Sequence, residues 1–306
     1  MRRWLLWTLL AIFCWGLWAL LGKLIGEALS PALTQALSTI GLVPVMLLMV
    51  VSIKNQGNTN ERSALPARRR GALVALGAGI LACLGNVAYY GVLNRGAKAA
   101  TVVALTALYP VVTVLLALLV LKERVNLIQI CGIMLSLIAI YLFNVQQEQG
   151  FLSAWLLVAL IPITLWGIAG LLQKLATNYV SGEISTLWFL AAFVPVAACI
   201  LVQQSLPTTI ALRTWLLVTA LGFTLALGNY ALLAAFANNG KASVITPLTG
   251  LYPLVSIPIA ILLLGERIGW RETLGITLAL VSAAALSYES RPAPSEVTQL
   301  KPELPK

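Results

Sequence analysis

The sequence predicts an all-α membrane protein with ten transmembrane helices in two inverted five-helix repeats. Three observations carry that prediction. Of the 306 residues, 60% are hydrophobic and only 10% charged, whereas a soluble domain carries about 25% charged residues. The apolar residues gather into ten runs of about 20, each able to cross a ~30 Å hydrocarbon layer at about 1.5 Å per residue. Finally, the stretch GNVAYYGVLNRGAKAATVVALTALYP from Gly85 returns without a gap as GNYALLAAFANNGKASVITPLTGLYP from Gly228, an offset of 143. Such self-similarity marks a duplicated unit.

The runs lie at 4–25, 31–53, 71–93, 100–121, 126–146, 152–174, 184–203, 213–236, 243–264 and 270–288. Arg2-Arg3 before the first run has the charge of a cleavable leader. That run is long, however, and its Trp15-Gly16 and Lys23 return as Trp166-Gly167 and Lys174, so it reads as the first helix of the fold. The first half is 1–146 and the second 147–288. Connections are short except for 54–70, which is polar and basic, and 289–306 reads as a disordered cytoplasmic tail.

Orientation follows from Lys and Arg. With the N-terminus in the cytoplasm, 14 of the 20 fall on that side, leaving Lys23, Arg95, Lys98, Arg213, Arg267 and Arg271 outside. The bias places both termini inside. A unit with an odd number of crossings must insert its second copy upside down. Inverted repeats of this kind build secondary transporters, with the substrate site near the midplane between the halves.

Several function classes are excluded. The formal charge of +10 sits between apolar runs and on no soluble basic module, so it predicts orientation and no nucleic-acid partner. The chain has no His and no CxxC spacing, which argues against a zinc site. No metal and no cofactor are expected. Cys14, Cys83, Cys131 and Cys199 all lie inside apolar runs and read as small buried hydrophobes. An integral-membrane enzyme would need a catalytic constellation, and a channel would need charged rings or a filter; neither pattern is present, so catalytic residues are not assigned.

The motifs resemble the EamA branch of the drug/metabolite transporter superfamily. The resemblance is carried in each half by Trp15-Gly16 and Trp166-Gly167, by Tyr109-Pro110 and Tyr252-Pro253, by Leu121-Lys122-Glu123-Arg124 and Leu264-Gly265-Glu266-Arg267, and by Gly132 and Gly275. Lys122 departs from the glycine usual there. The resemblance implies a ten-span carrier in the bacterial inner membrane that exports or exchanges small metabolites, amino acids before others, with drugs or other organic solutes as the alternative. Its partners would be a small-molecule substrate and membrane lipid. Monomer and dimer remain equally open.

Within that frame, Trp15, Trp18 and Trp166 are expected to wall a central cavity, where an aromatic surface suits an apolar substrate group; Trp4 and Trp7 are expected to face lipid. Asn86 and Asn229 match in the third and eighth spans. An amide in hydrocarbon needs a partner, either another helix or the substrate. Tyr89 and Tyr90 have no tyrosine counterpart in Leu232 and Leu233, and that asymmetry makes them pocket candidates. Pro110 and Pro253 remove the bonds to the carbonyls of Thr106 and Thr249, which makes Tyr109-Pro110 and Tyr252-Pro253 a kink, a gating hinge, or a binding point that uses the threonines and tyrosines. Lys23 and Lys174 either snorkel to headgroups or attract anions at each mouth. Lys98 and Lys241 oppose the dipole of the helices they precede, so an anionic substrate or a carboxylate from the other half must favour them. Glu123-Arg124 and Glu266-Arg267 are expected to play structural roles in local or cross-helix ion pairs. No carboxylate lies mid-span, which favours exchange or facilitated diffusion over direct proton coupling.

Overall fold

A backbone in hydrocarbon has no water to bond and must satisfy its polar groups within each segment, and these apolar runs do so as helices. The computed structural model describes residues 3–55, 65–95, 97–121, 126–144, 154–238, 249–286 and 288, with no strand among them. The helices are α1 (Arg3–Ile25), α2 (Pro31–Asn55), α3 (Leu65–Asn94), α4 (Ala99–Thr106), α5 (Tyr109–Leu121), α6 (Leu127–Asn144), α7 (Ala154–Ala176), α8 (Gly182–Ala191), α9 (Phe193–Gln203), α10 (Leu212–Ala237), α11 (Pro253–Leu264) and α12 (Trp270–Leu286).

Proline sets the breaks. Pro110 and Pro253 sit in the first turn of α5 and α11, where a missing N–H costs nothing. Each therefore starts a helix rather than bending one. Pro195 cannot bond the carbonyl of Ala191, where α8 ends and α9 takes over. Gly265 ends α11 in the left-handed region at φ 63°, a conformation that glycine adopts without strain.

Seven stretches are apolar and long enough to cross a membrane: α1, α2, α3, α4 with α5, α7, α8 with α9, and α10. The apolar helices at 127–143 and 253–264 are shorter. Among the described residues, length alone thus supports seven crossings of the ten expected.

The two halves interlock through reciprocal contacts. Gly16 on α1 faces Val255 and the Tyr252 carbonyl, while its counterpart Gly167 on α7 faces Val112 and the Tyr109 carbonyl. The Trp15 ring lies against Gly228, and the Trp166 ring against Gly85. In both cases the pairing is repeated by the counterparts of its two partners. α2 and α10 touch backbone to backbone: a Cβ on Gly41 would collide with the Thr219 carbonyl, and one on Gly222 with that of Ser38. Small residues permit such approach. α6 and α12 pack through Gly132 and Gly275, with the Ser282 hydroxyl donating to the Gly132 carbonyl at 2.8 Å.

Several sequence expectations are corrected. The basic 54–70 segment is not loop throughout: Lys54 lies in the last turn of α2, and 65–70 belong to α3, with the Arg70 guanidinium 5.2 Å from the Tyr179 ring centre. Cys131 and Cys199 are exposed, because they lie on the outward faces of α6 and α9. The 289–306 tail, the boundary at 146, Lys241 and Glu123-Arg124 lie outside the described residues.

Candidate functional site

A cavity of about 160 Å³ lies where the halves meet. α1 supplies Trp15 and Trp18, α7 supplies Trp166 and Gln173, and the breaks before α5 and α11 bring in Tyr109 and Tyr252. Asn86 of α3 and Asn229 of α10 add two amides, and Phe189 and Phe193 enter from either side of the α8–α9 break. None of the lining residues is charged. Three of the rings form a connected wall: Trp18 and Trp166 lie 5.7 Å apart, and Tyr109 meets Trp166 edge-on at 6.2 Å.

Seven of the residues singled out from the sequence thus line one cavity, and four do not. Tyr89 and Tyr90 are buried behind Trp18. Tyr89 stacks on Trp18 at 5.3 Å and donates to the Ala19 carbonyl at 2.6 Å, and the Tyr90 oxygen accepts from Trp18 Nε1 at 3.1 Å. Both share a helix face with Asn86 but lie a turn further on, where α1 closes over α3: a Cβ on Gly22 would come within 2.7 Å of Tyr90. They hold the wall instead of facing the cavity. Tyr89→Phe accordingly costs about 1 kcal/mol of stability, the worth of one buried hydrogen bond, read as a lower melting midpoint in detergent. Thr106 and Thr249 are buried too. The Thr106 hydroxyl turns back to the carbonyl of Val102 at 2.7 Å, the Thr249 carbonyl accepts from Tyr252 N–H at 3.2 Å, and neither threonine lines the cavity.

Beyond Trp18, the bundle is shut at the end that carries Lys98. Lys98 Nζ donates to both Glu272 carboxylate oxygens, at 2.8 and 2.6 Å, and to the Arg267 carbonyl at 2.8 Å. Glu272 also accepts from the Gly269 N–H at 2.8 Å. Glu266 accepts from the N–H groups of Ala99 at 2.6 Å and Ala100 at 3.0 Å, a carboxylate cap favoured by the positive end of the α4 dipole. The cation that the dipole disfavours is thus held by a carboxylate from the other half. Glu266, expected in a local or cross-helix ion pair, caps α4 instead, and the cross-half ion pair is made by Glu272. Lys23 is engaged by the protein backbone: its Nζ donates to the carbonyls of Leu93 and Ala97, both at 2.9 Å, where α3 ends. Lys174 is exposed toward the opposite end. In the first half the position equivalent to Glu272 is Gln129. Its amide donates to the Leu286 carbonyl at 3.2 Å and accepts from Asn126 N–H at 3.1 Å.

A second cavity of about 190 Å³ lies toward the end away from Lys98, between Trp7, Ser52, Glu183, Tyr230 and Asn238. Trp7, expected to face lipid, meets Tyr230 edge-on at 6.2 Å. Glu183 occupies the first turn of α8, whose N-cap Ser181 accepts from Ile184 N–H. No group of three metal-ligating side chains occurs among the described residues.

The sequence did not point to Phe189, Phe193 or Gln173. The one available signal for the phenylalanines was Pro195, which breaks an otherwise continuous apolar run.

A profile described as the EamA-like transporter family matches residues 2–145 and again 153–288. Of 15 solved chains that match, one described only as "Crystal structure of protein" superposes with a TM-score of 0.61 at 18% identity, covering 92% of this chain and 94% of its own. At that identity the likeness shows the fold alone. No curated protein matches.

Proposed function

Because the chain belongs to the EamA-like transporter family, with one copy of the family unit in each half, we propose that it is an alternating-access carrier that exports or exchanges amino acids and related small metabolites. Family membership and the apolar helices make it a multi-pass membrane transporter of small solutes. The finer reading places it in the bacterial inner membrane with ten crossings, inverted halves and both termini in the cytoplasm. The Lys98 end then faces outward, as the charge bias favours.

The observation that supports this best is an uncharged aromatic cavity between the repeats, shut at one end by pairs that join the two halves. A site closed on one side by bonds between halves is what rocking one repeat against the other requires. Neutral aromatic lining suits a solute with an apolar side chain, and the absence of a lining carboxylate favours exchange over direct proton coupling. The same wall fits a hydrophobic drug, which makes multidrug export the second reading.

Counterflow in proteoliposomes tests this. Preloaded amino acid should accelerate uptake of the labelled compound and saturate, and Trp166→Ala should lower the rate about tenfold, since it removes a ring that touches both Trp18 and Tyr109. Flux that rises linearly without saturation overturns the carrier. Saturable flux confined to hydrophobic cations selects the drug reading.

A further inference from the structure

Asn86 and Asn229 are repeat-equivalents at the offset of 143, yet they are bonded differently. The Trp166 Nε1–H donates to Asn86 Oδ1 at 3.1 Å and, more weakly, to the Ala82 carbonyl at 3.3 Å. Symmetry would have Trp15 donate to Asn229 in the same way. Instead, Trp15 Nε1 is buried without a partner, and Asn229 Nδ2 donates to the Leu225 carbonyl of its own helix at 2.8 Å. Chemistry fixes which atom of each amide is engaged. An indole N–H only donates, so the atom of Asn86 that meets it is the oxygen; a carbonyl only accepts, so the atom of Asn229 that meets it is the nitrogen.

Both amides line the central cavity, and among the described residues neither makes another hydrogen bond. Asn86 therefore offers the cavity its NH2, a donor, and Asn229 offers its Oδ1, an acceptor. Two identical residues in equivalent positions become opposite poles because only one of the two tryptophans is paired. We propose that they are the polar recognition groups of the carrier. Asn86 Nδ2 binds an acceptor oxygen of the solute and Asn229 Oδ1 binds its amine, with the aromatic wall around the side chain. The ligand class is a small zwitterion: a carboxylate and an ammonium on one carbon bearing an apolar group. An uncharged site suits such a ligand, because its two charges need opposite dipoles and no net countercharge. This assignment rests on the carrier reading.

The test compares three probes in counterflow: phenylalanine, phenethylamine, which lacks the carboxylate, and 3-phenylpropionate, which lacks the ammonium. Asn86→Asp keeps the oxygen that Trp166 needs and removes the donor, so the preference for phenylalanine over phenethylamine should fall at least tenfold. Asn229→Leu removes the acceptor, so the preference for phenylalanine over 3-phenylpropionate should fall by a similar factor. Each result is a ratio within one variant, so a general loss of folded protein cancels. If both ratios stay at wild-type values, or each variant changes the ratio assigned to the other, the polar assignment is overturned while the carrier reading stands. If none of the probes drives counterflow in the unmodified protein, the amino-acid reading and this assignment fall together.

Discussion

Gly222→Ala destabilises the protein by about 3 kcal/mol or more, the upper range for overpacking a core, whereas Gly77→Ala is neutral or slightly stabilising. A Cβ on Gly222 would collide with the Ser38 carbonyl, and one on the facing Gly41 would collide with the Thr219 carbonyl. The obstacle is backbone on both sides, so no side-chain rotation relieves it; α2 and α10 must move apart. That separation would disturb Val218 and Leu221, which pack with Trp18 and Tyr89 in one buried cluster, and so loosen the wall of the central cavity. Gly77 has nothing within 4 Å of its Cβ position, and alanine there gains helix propensity. Melting of the two variants in detergent, followed by size exclusion, is the measurement. Equal midpoints would show that the α2–α10 contact is not close in the folded protein.

Glu272→Gln opens the Lys98 end. Glu272 is 5% exposed and Lys98 43% exposed, so the pair is half-screened and worth less than a fully buried one. Its loss still removes a bidentate charged contact and weakens the acceptor for the Gly269 N–H. A shift of about fivefold in the ratio of open to closed forms corresponds to about 1 kcal/mol. The reporter is Thr106→Cys, at a position that is fully buried below the closure, in a background with Cys131 and Cys199 replaced by alanine. Its reaction with an impermeant maleimide added from the Lys98 side should quicken about fivefold with Glu272→Gln. An unchanged rate would mean that the pair does not hold that end shut.

Much of this architecture was legible in the residues because duplication prints the same chemistry twice. Trp15 with Trp166, Asn86 with Asn229 and Tyr109 with Tyr252 were found as pairs, and each pair lines the cavity. What the sequence could not supply was depth along a helix face. Tyr89 and Tyr90 point the same way as Asn86, but one turn separates an open cavity from the place where Gly22 lets α1 close. Partners across the halves were hidden for a similar reason. The sequence shows that Lys98 needs an anion, either a substrate or a carboxylate of the other half, and it does not show that Glu272 provides it, 174 residues away. For Glu266 the sequence leaves a local and a cross-helix partner open; its carboxylate reaches across to cap α4 of the other half. The α8–α9 break brings in Phe189 and Phe193 without a motif, since phenylalanine in an apolar run carries no signal of the side it faces.

The substitution of Gln129 for Glu272 across the repeat bears on the speed of the working cycle. In the carrier proposed above, Gln129 stands where its repeat-equivalent is Glu272, so the equivalent residues do not repeat the Lys98–Glu272 charge pair and the two resting forms of the empty carrier are expected to differ in free energy. The leg on which the vacant site must leave the sealed form is then the slower one. A loaded site returns with ligand bound and avoids that leg. Solute-for-solute exchange should therefore run faster than net efflux into an empty compartment, and Glu272→Gln should narrow the gap between the two rates.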